Sequence, residues 1–192
     1  MLNRRNFIAT SVAATALGVG GAQAHSNSNY VIPEDHLPVQ VPIRAGFAPG
    51  EIHVDPTTFK LYWTLEDETA IRYSVGVGRK GLYEPGEFYV GAKKEWPSWT
   101  PTPAMIRREP EQYAKFADGM PGGPDNPLGA RALYLFEPGR GDTFLRIHGT
   151  GQPWTIGTAV SNGCARLINA HAIDLYDRVP MRTRVVLYPN SV

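Results

Sequence analysis

The chain contains a single cysteine, Cys164, within Ser161-Asn162-Gly163-Cys164-Ala165-Arg166, and His148 stands sixteen positions upstream in Ile147-His148-Gly149-Thr150. A thiol becomes a working nucleophile when a base lies within hydrogen-bond reach, and an imidazole at a strand end followed by a glycine turn can supply one. The competing reading is a small buried hydrophobe, the usual condition of free cysteines. The start of the chain weighs against that reading. Arg4-Arg5 precede a modestly apolar run to Val19, no acidic residue occurs before Glu34, and Ala22-Gln23-Ala24 offers a small-residue cleavage site. That order predicts a twin-arginine export signal over residues 1–24 and a periplasmic location. The apolar run is shorter than the ~20 residues of a spanning helix and is diluted by Thr, Ser and Gly, so no membrane span is expected in the mature chain. Structural cysteines in an oxidising compartment come in pairs. An unpaired Cys164 there is expected to be in use.

Without residues 1–24 the chain keeps 17 basic and 18 acidic residues. This balance excludes a nucleic-acid or polybasic membrane surface. The remaining 168 residues are enough for one domain with a real core. Residues 25–48, with a Ser-Asn run and Pro33, Pro38 and Pro42, read as an extended arm or linker, and residues 49–190 as the domain.

The elements that must position the thiol are mostly strands. Apolar alternation predicts a three-strand meander over 51–54, 60–65 and 71–77, with further strands at 87–90, 132–136, 143–147 and 183–187. Residues 97–127 carry seven prolines, too many for regular structure, and read as a long packed loop lining a cleft. One helix is evident. Asn169 can cap it, Ala172, Ile173, Leu175, Tyr176 and Val179 form its apolar face, and Pro180 follows its end. Cys164 would then sit in a loop entering a helix, whose positive end, together with Arg166, would lower the thiol pKa below its free value of about 8.5.

Other residues admit plainer readings. Arg166 either binds a substrate carboxylate or pairs with Asp174 or Asp177, and Ser161 is either a turn residue or a functional one. Trp96 and Trp99 read as packing, while Trp154, lying between His148 and Cys164, could wall the cleft. His53 is expected to cap or to face solvent, and His171 to sit in the first helical turn. His25, His36 and His53 lack metal-ligand spacing with one another and with Cys164, so neither zinc nor a cofactor is expected.

The span from about residue 51 to residue 186 resembles the L,D-transpeptidase catalytic domains of the YkuD and ErfK type. The resemblance rests on Tyr73-Ser74-Val75-Gly76-Val77-Gly78, on Lys94-Glu95-Trp96-Pro97-Ser98-Trp99-Thr100-Pro101, and on the run from Pro121 to Leu133. It is most specific in Ile147-His148-Gly149-Thr150 followed by Ser161-Asn162-Gly163-Cys164-Ala165-Arg166. It implies a mainly β, sandwich or barrel-like sheet with one main helix after the catalytic cysteine. It also implies a peptidoglycan reaction without a cofactor. Cys164 would attack a meso-diaminopimelate carbonyl of a tetrapeptide stem, release D-alanine and pass the acyl group to an amine. His148 would act as base and acid, the Gly149 carbonyl would orient its ring, and backbone N–H groups of Asn162, Gly163 and Cys164 would meet the oxyanion. Partners implied are peptidoglycan stem peptides, with a second stem, an envelope protein, a D-amino acid or water left open as acceptor. A cysteine hydrolase on the same site and a non-catalytic envelope-binding module are the rival readings. Many members carry a second histidine where this chain has Asn162, which points to a loop-shaping part for that residue. Ala165 replaces a bulkier aliphatic, and Glu84-Pro85-Gly86-Glu87 departs from the usual strand entry.

Overall fold

Alternate residues of seven strands meet in one apolar core. Ile52 and Val54, Leu61 and Trp63, Ile71 and Tyr73, Phe88 and Val90, Leu133 and Leu135, Leu145 and Ile147, and Val185 and Leu187 all belong to a single buried cluster. Side chains two apart share one face of a strand, so a sheet whose like faces all converge must curl around what it buries. The computed structural model describes residues 15–16 and 30–190. The export signal expected over residues 1–24 lies outside the described residues apart from Thr15–Ala16.

The strands are β1 (Thr15–Ala16), β2 (Val39–Pro42), β3 (Ile52–Asp55), β4 (Lys60–Thr64), β5 (Thr69–Ser74), β6 (Val77–Gly78), β7 (Gly86–Glu95), β8 (Arg131–Glu137), β9 (Gly141–His148), β10 (Ala159–Ser161), β11 (Ala165–Arg166) and β12 (Arg184–Leu187). A ten-stranded mixed sheet runs β1-β2-β5-β4-β3-β12-β7-β8-β9-β11, and β10 pairs with β6 in a second, two-stranded sheet. The architecture is mainly β, and the expected meander is present as β3, β4 and β5, antiparallel in chain order. The helices are α1 (Pro103–Arg108), α2 (Pro110–Tyr113) and α3 (Asn169–Arg178). Ala172 and Leu175 of α3, with Val179 just beyond it, close the core.

The arm expected over 25–48 contributes β2, which pairs antiparallel with β5 and lies between β1 and β5 in the sheet. Three readings of the sequence are corrected. The proline-rich segment is partly helical, because Pro103 and Pro110 occupy first-turn positions where the missing N–H costs nothing and the fixed φ suits a helix. His53 is fully buried. Its ring contacts the Tyr188 hydroxyl at 3.0 Å and Glu51 Oε2 at 3.1 Å, and the edge of Phe47 packs against it.

The third concerns Asn169. Ile168 holds the N-cap position without a side-chain cap bond, and Asn169 is used otherwise. Its Oδ1 accepts the buried Ala130 N–H at 3.0 Å, which fastens α3 to the start of β8. A Cβ on Gly149 would lie 2.2 Å from that oxygen, so the residue after His148 has to be glycine. Asn169→Ala strands the Ala130 N–H in the interior and is expected to lower stability by about 1–3 kcal/mol in urea unfolding. Asn169→Asp, which keeps an acceptor, should cost less, and equal losses would contradict the role.

Burial pushes His53 and His171 down to about 4 each, against the upward pull of Glu51 on the first and Asp174 on the second. An unfolded histidine titrates near 6.5, so between about pH 6.5 and 4 the unfolded chain binds the extra protons. Stability from these rings is therefore complete above about pH 6.5 and is lost as pH falls through that window. The urea midpoint should drop between pH 7 and pH 5; a flat midpoint would show that the rings are not held neutral.

Candidate active site

Parallel pairing of β11 with β9 sets Ala165 beside Ile147 and Arg166 beside His148. Counting back along β11 puts Cys164 level with Arg146. Cys164, Arg166, Arg146 and His148 thus share one face. Diagonal neighbours on such a face have Cα atoms about 7–8 Å apart, within the reach of an imidazole. The pairing of β8 with β9 is irregular opposite Leu135, where Phe144 has φ +63°. Two side-chain bonds hold this bulge: the Thr143 hydroxyl donates to the Leu135 carbonyl at 2.7 Å, and Asp142 Oδ1 accepts the Phe144 N–H at 2.9 Å. A bulge re-aims the side chains after it, here Arg146 and His148. It also brings the Phe144 carbonyl 3.9 Å from the Cys164 thiol.

His148 is buried, and its Nδ1 lies 2.6 Å from the Gly149 carbonyl. Only a protonated Nδ1 can donate to that carbonyl, so Nε2 carries the lone pair. Burial, then the Arg166 charge, pushes the imidazole down to about 3, with the carbonyls of Gly149 and Leu128 offsetting part of the effect. The half-buried Cys164 corrects the expectation of an activated thiol. Burial pushes it up from its ordinary value, outweighing the Arg146 N–H and the guanidinium groups of Arg146 and Arg166. The residues that directly follow the thiol form β11 and not the helix, which begins at Asn169. The resting pair is a neutral thiol beside a neutral imidazole.

The Ser161–Cys164 turn is tightly determined. The buried Ser161 hydroxyl donates to the Cys164 carbonyl at 2.6 Å and accepts the Gly163 N–H at 3.3 Å; it is a turn-shaping residue. Gly163 has φ +120°, and a Cβ there would meet the Leu82 carbonyl at 2.9 Å, so only glycine fits. Of the three N–H groups expected to face an oxyanion, that of Gly163 is thus committed to Ser161. Those of Asn162 and Cys164 make no hydrogen bond among the described residues.

Arg166 makes no ion pair with Asp174 or Asp177. Asp174 is taken by Arg178 at 2.8 Å and by the Tyr73 hydroxyl at 2.5 Å. Arg166 Nε is buried without a partner, leaving this guanidinium available to a ligand. Arg146, by contrast, is locked by a bidentate pair with Asp142 at 2.7 and 2.8 Å and lies over the Tyr134 ring.

Cys164, His148, Arg166, Ser161 and Asn162 line one cleft of about 730 Å³, walled by the proline-rich segment from Ser98 to Tyr113 and by Phe144 on the rim. Trp154 does not wall it; its ring is largely exposed on a 3-10 turn. Trp99 packs edge-on against Tyr113 and Phe116. Tyr113, Arg108 and Phe144 carry no signal as site residues in the linear chain, because they come from a segment without periodicity and from a strand bulge. Among the described residues, no group of three metal-ligating side chains gathers, and no helix is long and apolar enough to cross a membrane.

The family model of the YkuD L,D-transpeptidase catalytic domain matches residues 49–187. The chain belongs to this family. The probable L,D-transpeptidase ErfK/SrfK of Escherichia coli K12 is 36% identical over 174 residues, which cover 87% of this chain and 51% of that protein. This chain therefore spans about half the length of that relative. A protein of Fuscovulum blasticum named as an L,D-transpeptidase in its ATP synthase subunits region is 33% identical over 202 residues, 96% of each chain. A solved structure from Brucella melitensis, described as a probable carnitine operon oxidoreductase, is 49% identical, with a TM-score of 0.56 over 82% of this chain and 96% of that one. The L,D-transpeptidase of Mycobacterium smegmatis is 16% identical with a TM-score of 0.54, over 80% of this chain and 68% of that one, a likeness of fold.

For this L,D-transpeptidase-family domain, the neutral pair fixes a pH signature. The rate of Cys164 alkylation by iodoacetamide should climb through the alkaline range without levelling off near neutrality, and without an inflection near pH 6.5 from His148. A plateau between pH 6 and 8 would mean a preformed thiolate–imidazolium pair and would contradict the burial argument.

Proposed function

We propose that this protein is a periplasmic, cysteine-dependent L,D-transpeptidase acting on peptidoglycan stem peptides. The observation that carries the reading is the common face of Cys164 and His148. The imidazole is fixed by the Gly149 carbonyl at 2.6 Å, and two unused N–H groups flank the thiol in the same cleft. A thiol, an oriented base and free amides are the parts of acyl transfer. The Brucella melitensis relative is described as an oxidoreductase; the parts gathered in this cleft favour acyl transfer.

In this mechanism Cys164 Sγ forms a bond to the diaminopimelate carbonyl carbon while its proton passes to His148 Nε2. The N–H groups of Asn162 and Cys164 receive the oxyanion, each such donor being worth roughly 3 kcal/mol. The tetrahedral species collapses, the C–N bond to D-alanine breaks, and His148 returns the proton to the departing amine. A second amine then attacks the thioester, loses its proton to Nε2, and the sulfur leaves and is reprotonated. Because thiol and imidazole rest neutral, proton transfer accompanies attack and His148 acts as a true general base. Arg166, free of any internal carboxylate, binds a carboxylate of the stem. The domain over 49–190 performs this chemistry after export and loss of residues 1–24.

Full-length mature protein incubated with disaccharide tetrapeptides should release D-alanine and form dimers joined between two diaminopimelate residues, or exchange the terminal D-alanine for an added D-amino acid, read by mass spectrometry. Tripeptide as sole product at high amine concentration would move the assignment to the hydrolase reading, and no product at all would favour a binding module. His148→Ala should slow acylation by about 10²- to 10⁴-fold.

A further inference from the structure

Phe144 occupies backbone that a phenylalanine avoids. Its φ of +63° lies in the left-handed region, which glycine and asparagine enter readily and which crowds the Cβ of a bulky residue. The residue is also 67% exposed, between buried Thr143 and buried Leu145, so little of its ring serves the core. A single exposed ring is ordinary on a protein surface. A ring on strained backbone beside a nucleophile is a different matter, since such strain persists only where the surrounding structure imposes it, and it gathers at functional sites. Here the bulge imposes it, through the Thr143 hydroxyl on the Leu135 carbonyl and the Phe144 N–H on Asp142. Neither bond involves the ring, so an asparagine would satisfy both equally well. The placement relative to the sulfur is close: the Phe144 carbonyl lies 3.9 Å from Cys164 Sγ, and both residues line the same cleft. The ring is also backed by a fixed group. Arg146, pinned by Asp142 and lying over the Tyr134 ring at 3.9 Å, has its guanidinium 5.9 Å from the Phe144 centroid. Because Asp142 answers the charge of Arg146, this wall presents the thiol's substrate with an apolar ring and not with an anion site.

We propose that Phe144 is a specificity-determining residue whose ring packs on the aliphatic side chain of the residue that the thiol attacks. On the transpeptidase reading, on which the identity of that chain rests, it is the run of methylenes in the diaminopimelate side chain. Packing the two together removes apolar surface of both from water. The bulge holds the ring in place before the donor arrives, so little ordering is lost on binding. A donor with a short polar side chain at this position gains nothing from the ring. The residue thus suits the ligand at the expense of the fold, and removing the ring should move affinity and stability in opposite directions.

The test compares the intact protein with Phe144→Asn, which tolerates the left-handed backbone, and Phe144→Tyr, which keeps the ring. Urea unfolding reads stability. Cys164 is alkylated with N-methylmaleimide and, separately, with N-benzylmaleimide, each rate being divided by that of the same reagent with free N-acetylcysteine. The urea midpoint of Phe144→Asn should equal or exceed that of wild type. The preference for the benzyl reagent should be about tenfold in wild type, fall toward unity in Phe144→Asn and persist in Phe144→Tyr. With disaccharide tetrapeptide and an amine acceptor, KM should rise by about the same factor in Phe144→Asn, with kcat little changed, and stay near the wild-type value in Phe144→Tyr. An equal benzyl preference in wild type and Phe144→Asn, or a lower urea midpoint in Phe144→Asn, would overturn the proposal, as would tetrapeptide kinetics unchanged by Phe144→Asn. A wild type that does not turn over tetrapeptide but shows the expected maleimide rates would retire the transpeptidase reading and leave the ring as an apolar contact for whatever acyl group the thiol takes.

Discussion

The two-residue strand β11 carries the geometry of the site. Side chains alternate with period two, so a slip of one residue against β9 would turn Cys164 and Arg166 away from His148 and into the core. Two residues are too few to fix their own register. It is fixed from outside, by the paired bonds of Arg166 with Gly76 at 2.7 and 2.9 Å and by the Leu167 N–H on the His148 carbonyl at 2.8 Å. Leu167, fully buried, follows at once and anchors the strand in the core. Gly76 has to be small for this contact, since a Cβ there would come within 2.7 Å of the Thr155 carbonyl.

Burial then sets the chemistry. The guanidinium groups of Arg146 and Arg166 favour a thiolate, yet desolvation acts on the same thiol and prevails. The same desolvation, helped by Arg166, keeps His148 neutral. Thiol and imidazole are thus both held in their uncharged forms. Asn169 ties this electrostatic setting to the fold. Its one oxygen satisfies Ala130 and leaves no room for a Cβ on Gly129 or Gly149, so the helix behind the thiol and the turn behind the base meet at the same atom.

Much of this was legible in the residues. Phe88 and Val90, and Leu145 and Ile147, alternate with more exposed neighbours because their strands bury one face there, and alternation is a local pattern. The Cys164 and His148 segments declare themselves by residue type, and the apolar face of α3 by its three- and four-residue spacing. What stayed hidden depends on contacts distant in sequence. The short helices α1 and α2, of 6 and 4 residues, are too brief for a periodic signal, and their prolines read as breakers where they are in fact starters. Asn169 looked like a cap because its type and position fit one, but the Ala130 N–H, 39 positions away, claims it. His53 stands in a strand whose two faces are both covered, so alternation could not reveal its burial. The balance between arginine charge and desolvation at Cys164 is equally invisible in a linear chain, which lists the charges and not the burial.

Covalent chemistry at one sulfur is the central claim, and intact-mass spectrometry of protein quenched during turnover of a tetrapeptide donor tests it most directly. The account predicts a mass gain equal to the donor less D-alanine, mapped to the peptide that carries Cys164, absent in Cys164→Ala, and discharged when an amine acceptor is added. D-alanine release by Cys164→Ala at the wild-type rate, or an adduct mapped to another residue, would contradict it.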